Sequence, residues 1–294
     1  MNLWQKYLVP RTLSEALGEM ESAASPVVPI AGGTDLLVDL VEGKQSPPDT
    51  LLDLTRVHEM TSVELRDDGL FVGAAVPLSR VARDELVRKH APGLVEACDL
   101  IGGPQVRNVA TLGGNVAHAL PAADGTIALL ALDAKVEIAS SAGRSSRPIG
   151  EMFAGPGKST LAAGKELIVG FLIPARQDTE ASSFRRIMRP QGVALPILNL
   201  SVWLRREGNK VLAARIAVGP GGPRPWRALA AEQALADNTS QETAFEAALH
   251  ALLEHVTFRT SARRATAEYR NHLVESLFRQ TALAAWNGVA GRGA

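Results

Sequence analysis

The chain has 294 residues, 46% of them hydrophobic, with 31 Lys plus Arg against 31 Asp plus Glu, so it can bury a large core and carries no basic surplus for nucleic acid. One cysteine, Cys98, excludes an intramolecular disulfide and cannot supply the roughly four thiolates of an iron–sulfur cluster. Aromatics are only 4%, six histidines are scattered without metal-ligand spacing, and no apolar run approaches the roughly 20 residues that span a bilayer, so we expect no metal and no membrane span.

The opening MNLWQKYLVP lacks the apolar core and cleavage site of a signal peptide, and a cytoplasmic protein is expected. Thr12 followed by Glu15 three residues on is a capping-box pattern that opens a helix through Leu17. Val27 to Ala31 reads as a short buried strand, and Gly32-Gly33-Thr34-Asp35 follows at once, ahead of a helix or extended turn from Leu36. Pro47-Pro48 ends that segment before a strand over 50–54. A strand at 70–74, helical spacing over 78–87 and a second helix over 93–101 come next.

The stretch 101–134 carries the strongest signal. Gly113-Gly114 sits between Thr111 and Asn115 with apolar residues on both sides, and reads as a tight turn whose backbone must be approached closely. One such turn alone is equally well a structural β-turn. The earlier Gly32-Gly33 pair repeats the order strand, glycine pair, hydroxyl or amide side chain, which suits two lobes closing on one acceptor-rich ligand such as a diphosphate. Neither pair fits G-x-G-x-x-G, so the Rossmann dinucleotide pattern is excluded.

Beyond it, Lys135 to Ile138 alternates as a strand, and 166–174 is another, closed by proline. Between them Gly155-Pro156-Gly157-Lys158-Ser159-Thr160 ends like a phosphate-binding loop, but Met152 stands where that pattern needs its first glycine. From about residue 178 the character changes. Residues 195–205 and 210–218 read as a hairpin turned by Glu207-Gly208-Asn209, Gly219 to Pro223 is too proline-rich for regular structure, and helices are expected at 228–236, 241–255 and 261–286. The tail from Gly288 is expected to fray.

Six segments together resemble one family: AGGTDLL (31–37), VRNVATLGGNVAHALPAAD (106–124), LLALDA (129–134), FAGPGKSTLAAGKELIVGFLIP (153–174), ARIAVGPGGPRPWRALAAEQAL (214–235) and TAEYRNHL (266–273). The family is that of the FAD-binding medium subunits of molybdenum hydroxylases, which includes carbon monoxide dehydrogenase and the xanthine dehydrogenases. The resemblance implies an α+β fold with a PCMH-type (vanillyl-alcohol-oxidase-like) FAD-binding domain of two α/β lobes, 1–60 and 61–176, and a C-terminal domain, 177–294, of antiparallel sheet and helices. It places the GPGKST string in a connecting loop.

The resemblance also implies cofactor contacts. Ile30, Ala31, Gly32, Gly33, Thr34 and Asp35 would run along the FAD diphosphate and ribityl chain. Ala110, Thr111, Gly113, Gly114 and Asn115 would add backbone donors and a hydroxyl to the same diphosphate. Ile101 and Gly102 would pack near the cofactor, Asp124 would bond a cofactor hydroxyl or the adenosine end, and Ile168 would lie against the flavin ring. Arg185 aligns where relatives often have Lys near the isoalloxazine. His118 reads as a turn residue with no catalytic role. The implied partners are a small [2Fe–2S] subunit and a large molybdopterin subunit, in a heterotrimer or its dimer, with NAD or a quinone as acceptor. A self-sufficient FAD oxidase or dehydrogenase of the same fold is the alternative.

Overall fold

The structure, a computed structural model, describes residues 3–189, 195–236, 238, 240–262 and 264–289. Three sheets organise it. The smallest is parallel, with Thr50–Asp53 between Lys6–Leu8 and Val27–Ile30. Helix Leu13–Ser22 makes the first crossover and buries Leu13, Ala16 and Met20, residues spaced for one helical face. Thr12 caps it by accepting from the Glu15 N–H at 3.1 Å, but the Glu15 carboxylate reaches back to the Arg11 N–H, one residue beyond the expected box partner.

The second sheet is antiparallel and five-stranded, in the order Val63–Arg66, Gly69–Gly73, Leu167–Ile173, Lys135–Ser140 and Gly143–Pro148. The last strand, GRSSRP, is almost wholly exposed, a polar edge that the apolar pattern could not signal. The helix expected over 78–87 is two, Leu78–Arg83 and Glu85–His90. Asp84 breaks it, because its Oδ1 accepts from the Leu86 and Val87 N–H groups at 2.9 and 3.3 Å and so starts a new helix. The GPGKST string lies in a small hairpin, Phe153–Gly155 with Lys158–Ser159, and the Gly157 N–H donates to the Ala119 carbonyl.

The third sheet is antiparallel: Glu180–Ile187, Leu198–Glu207, Lys210–Gly219 and Trp226–Arg227. The sequence reading found the middle two and missed the first, whose arginines disguised a buried strand. Helices Leu229–Ala236, Gln241–His255 and Ala267–Gly288 follow. The last begins later than expected because Thr266 caps it, accepting from the Tyr269 N–H at 3.1 Å. Of the tail expected to fray, 290–294 lie outside the described residues.

One apolar core joins the first two sheets and takes in Phe184, Trp203 and Ala217 of the third, while a second core lies between the third sheet and its helices. Glu96, on helix Pro92–Leu100, accepts from the Ser183 hydroxyl at 2.9 Å and the Phe184 N–H at 2.6 Å. The C-terminal sheet is thus fixed against the remainder, and the three parts close around one groove.

Candidate functional site

The groove has a volume of about 490 Å³ and draws on all three parts of the chain. Its first wall is the loop after strand Val27–Ile30. A Cβ on Gly32 would stand 2.2 Å from the Val109 carbonyl oxygen and 2.7 Å from Ala110 Cα, so only glycine lets the two glycine loops touch. Gly33 adopts φ +66°, a conformation that glycine reaches without strain. The Gly33 and Asp35 carbonyls turn toward helix Leu36–Val41 and accept from Leu37 and Asp39, each at 2.9 Å. By contrast, the N–H groups of Gly32, Gly33, Thr34 and Asp35 donate to no described residue. Four successive free amides on a groove wall form a concavity for an anion. Val28, Ile30, Ala31 and Thr34 line the same wall.

The second glycine pair is built differently. It opens a helix, Leu112–Ala117, rather than forming a tight turn. The Thr111 hydroxyl accepts from the Gly114 N–H at 3.1 Å, the Gly113 N–H donates to the Ala74 carbonyl at 3.0 Å, and the Asn115 N–H donates to the Thr111 carbonyl at 3.0 Å. Three of the backbone donors expected from this loop are therefore engaged inside the protein, while the Thr111 N–H donates to no described residue. Gly113 does not reach the groove, because its Cβ position lies 2.6 Å from the Ala74 carbonyl oxygen and it serves close packing. Gly114 does line the groove, where a Cβ would meet only Thr111 Oγ1 at 3.4 Å. Asn115 Oδ1 accepts from the Thr126 N–H and hydroxyl at 3.0 and 3.2 Å, leaving its NH₂ free to donate. Leu78, Ile101, Gly102, Val106 and Ala110 add an apolar wall beside this loop.

Asp124 begins the buried helix Asp124–Ala131 and is 4% exposed. Arg186 Nη1 lies 2.5 Å from its Oδ2, and Asn199 Nδ2 donates to its Oδ1 at 2.6 Å. Burial pushes the Asp124 carboxyl above its ordinary range, against the downward pull of Arg186 and Asn199. Each carboxylate oxygen holds one protein partner while Asp124 lines the groove, so the carboxylate also braces Arg186 and Asn199 there. Arg186 Nε and Asn199 Oδ1 are buried without a partner among the described residues.

Besides Gly113, two expected residues do not enter the groove. Arg185 points to the opposite face of its strand, where its guanidinium pairs with Glu96 at 2.8 Å, and its neighbour Arg186 lines the groove instead. The period of two that buries Phe184 places Arg186 on the same side, a signal present in Phe184-Arg185-Arg186. Ile168 sits in the central strand Leu167–Ile173, paired with Ile138 in the apolar core, and is absent from the lining. His118 lines the groove with Nε2 3.9 Å from Asp35 Oδ1, a contact between the two glycine loops. The sequence reading also missed Leu195, Pro196 and Arg264, which the C-terminal domain contributes and no local motif announces.

A flavin dinucleotide needs donors for a diphosphate, an apolar wall for a ring system, and bare backbone between them. The free amides of 32–35, the apolar run Leu78, Ile101, Val106 and Ala110, and the uncovered Gly114 meet those needs. Among the described residues no group of three or more His, Cys, Asp or Glu is placed to hold a metal ion, and no helix is long and apolar enough to cross a membrane.

Residues 3–176 match the family model for the FAD binding domain in molybdopterin dehydrogenase, and residues 182–285 match that for the CO dehydrogenase flavoprotein C-terminal domain. The xanthine dehydrogenase FAD-binding subunit of Escherichia coli O157:H7 is 32% identical over 251 residues, covering 84% of this chain and 85% of that one. Among solved structures, a chain of the carbon monoxide dehydrogenase of Hydrogenophaga pseudoflava superposes with a TM-score of 0.90 at 26% identity, covering 97% of this chain and 98% of that one. A chain of quinoline 2-oxidoreductase from Pseudomonas putida 86 gives 0.88 at 28% identity, covering 97% of each.

Proposed function

The chain belongs to the family of molybdopterin dehydrogenase FAD-binding subunits, with its α+β, PCMH-type fold, and from that premise we propose that the groove holds FAD and that the chain is the electron-transfer subunit of a molybdenum hydroxylase. Substrate is oxidised on a large molybdopterin subunit, a small [2Fe–2S] subunit relays the electrons, and NAD or a quinone receives them from this chain. The chemistry that FAD supplies when bound is exchange of electrons singly or in pairs, which joins cluster to acceptor.

What this chain's residues do is bind and position. The free amides of Gly32, Gly33, Thr34 and Asp35 are the single observation that carries the reading, since they offer four successive donors to a diphosphate. The Thr34 hydroxyl and, from the second loop, the Thr111 hydroxyl and the Asn115 NH₂ add directional donors. Ile30, Ala31, Ile101, Gly102 and Ala110 exclude water along the cofactor. Asp124 of the second lobe and Arg186 of the C-terminal domain brace the groove together as a buried ion pair. None of these residues acts as nucleophile or general base. The assignment of 1–60, 61–176 and 177–294 as two lobes and a C-terminal domain gives each a share of the groove.

The test is anaerobic stopped-flow of flavin bleaching. The purified chain is expected to carry flavin absorbance yet bleach with no hydroxylase substrate until the small and large subunits are added. Rapid substrate-driven bleaching by the chain alone would instead identify a self-sufficient oxidase, and a colourless chain that takes up no FAD would remove the cofactor reading.

A further inference from the structure

Two of the acids lining the groove are met by cations, Asp124 by Arg186 and Asp39 by Lys44 at 3.7 Å, and Asp35 lies 3.9 Å from His118 Nε2. One lining cation is left over. Arg264, contributed by the C-terminal domain, pairs with no carboxylate among the described residues. Nor do the arginines around it. Arg189 donates to the Arg264 carbonyl at 3.2 Å, Arg270 Nε donates to the Ile197 carbonyl at 3.0 Å, and Arg270 Nη1 donates to the Arg259 carbonyl. Arg270 is 1% exposed, and among the described residues its charge is met in the interior by carbonyl oxygens alone. Burial and the neighbouring Arg259 both hold the Arg264 guanidinium below its ordinary value, the mark of positive charge without a counter-ion.

A cluster of guanidinium groups with no acid among them is destabilised by desolvation and mutual repulsion, and an anion relieves both. Arginine's planar fork suits a phosphate in particular. We infer that Arg264, backed by Arg259 and Arg270, is an anion-binding wall of the groove that takes the diphosphate of the bound dinucleotide from the C-terminal domain's side. This rests on the reading that the groove holds FAD. It gives the C-terminal domain a direct hold on the cofactor: the free amides of one lobe and the arginine of a distant domain grip one charged group.

The test is the FAD dissociation constant of the flavin-stripped full chain, for wild type, Arg264→Gln and Arg264→Lys, across a salt series. Arg264→Gln should weaken FAD about tenfold at low salt and flatten the salt dependence, because the lost contact is the screened one. Arg264→Lys should retain most of the affinity and the wild-type salt response. Unfolding temperatures of the stripped proteins reveal any variant that fails to fold, and in that case Arg259→Gln, on an exposed side chain, should show the same flattening in weaker form. Wild-type affinity and salt dependence in Arg264→Gln would overturn the inference while leaving FAD in the groove, as would equal losses in Gln and Lys with an unchanged salt response. Wild type that binds no FAD would overturn the groove reading itself.

Discussion

The two glycine loops look alike in sequence and are opposites in structure. In Gly32-Gly33-Thr34-Asp35 the Gly33 and Asp35 carbonyls are engaged and the amides are free, whereas the amides of Gly113, Gly114 and Asn115 are all engaged. The difference lies in where the threonine stands. Thr111 precedes its glycine pair by the spacing that lets a hydroxyl cap a helix, so it accepts from the Gly114 N–H. Thr34 follows its pair and has no amide in reach, which leaves the glycine N–H groups unpaired. A hydroxyl two residues earlier or one later thus decides whether a glycine pair becomes a ligand cradle or a packed helix start.

The sharpest way to break this comparison is steric. Gly114→Leu puts a branched side chain on the groove side of the second loop, where a Cβ meets only Thr111 Oγ1 at 3.4 Å. It is expected to abolish FAD retention while the unfolding temperature stays close to wild type, read from flavin absorbance and a thermal melt. Gly113→Ala, one residue earlier, aims at the Ala74 carbonyl oxygen, and should cost about 1–3 kcal/mol of stability by overpacking. Gly32→Ala forces the two loops apart and should lose both stability and FAD. If Gly113→Ala and Gly114→Leu behaved identically, the division between a packing glycine and a groove glycine would fail.

Much of this was legible beforehand. The glycine pairs, the cap at Thr12, the hairpin around Gly208 and the exclusion of a phosphate-binding loop at Met152 all follow from local chemistry, which nearest neighbours settle. The rest depended on registers that only the assembled sheets fix. Whether Arg185 or Arg186 faced the groove hung on the phase of a strand that its charges hid, and Ile168 looked available until the sheet closed over it. Arg264 was invisible because it enters from 140 residues beyond Asp124 through tertiary packing alone.

A finer contrast comes from two hydroxyl deletions. Thr34→Val removes a donor that does no structural work, so FAD should weaken about tenfold, near 1.4 kcal/mol, with stability unchanged. Thr111→Val removes a donor and a cap together, so FAD should weaken comparably and stability fall by about 1 kcal/mol. Titration of flavin fluorescence with paired denaturant melts separates the two. Equal stabilities in both variants would mean that the cap contributes nothing.

The central claim is that the first loop holds the cofactor through its backbone, and amide hydrogen exchange of the stripped and FAD-loaded chain reads those atoms directly. The amides of Gly32, Gly33, Thr34 and Asp35 should exchange fast in the stripped protein and become protected when FAD is added. Those of Gly113, Gly114 and Asn115, already bonded within the protein, should be protected in both states. Fast exchange persisting at Gly32 to Asp35 with FAD bound would contradict the account.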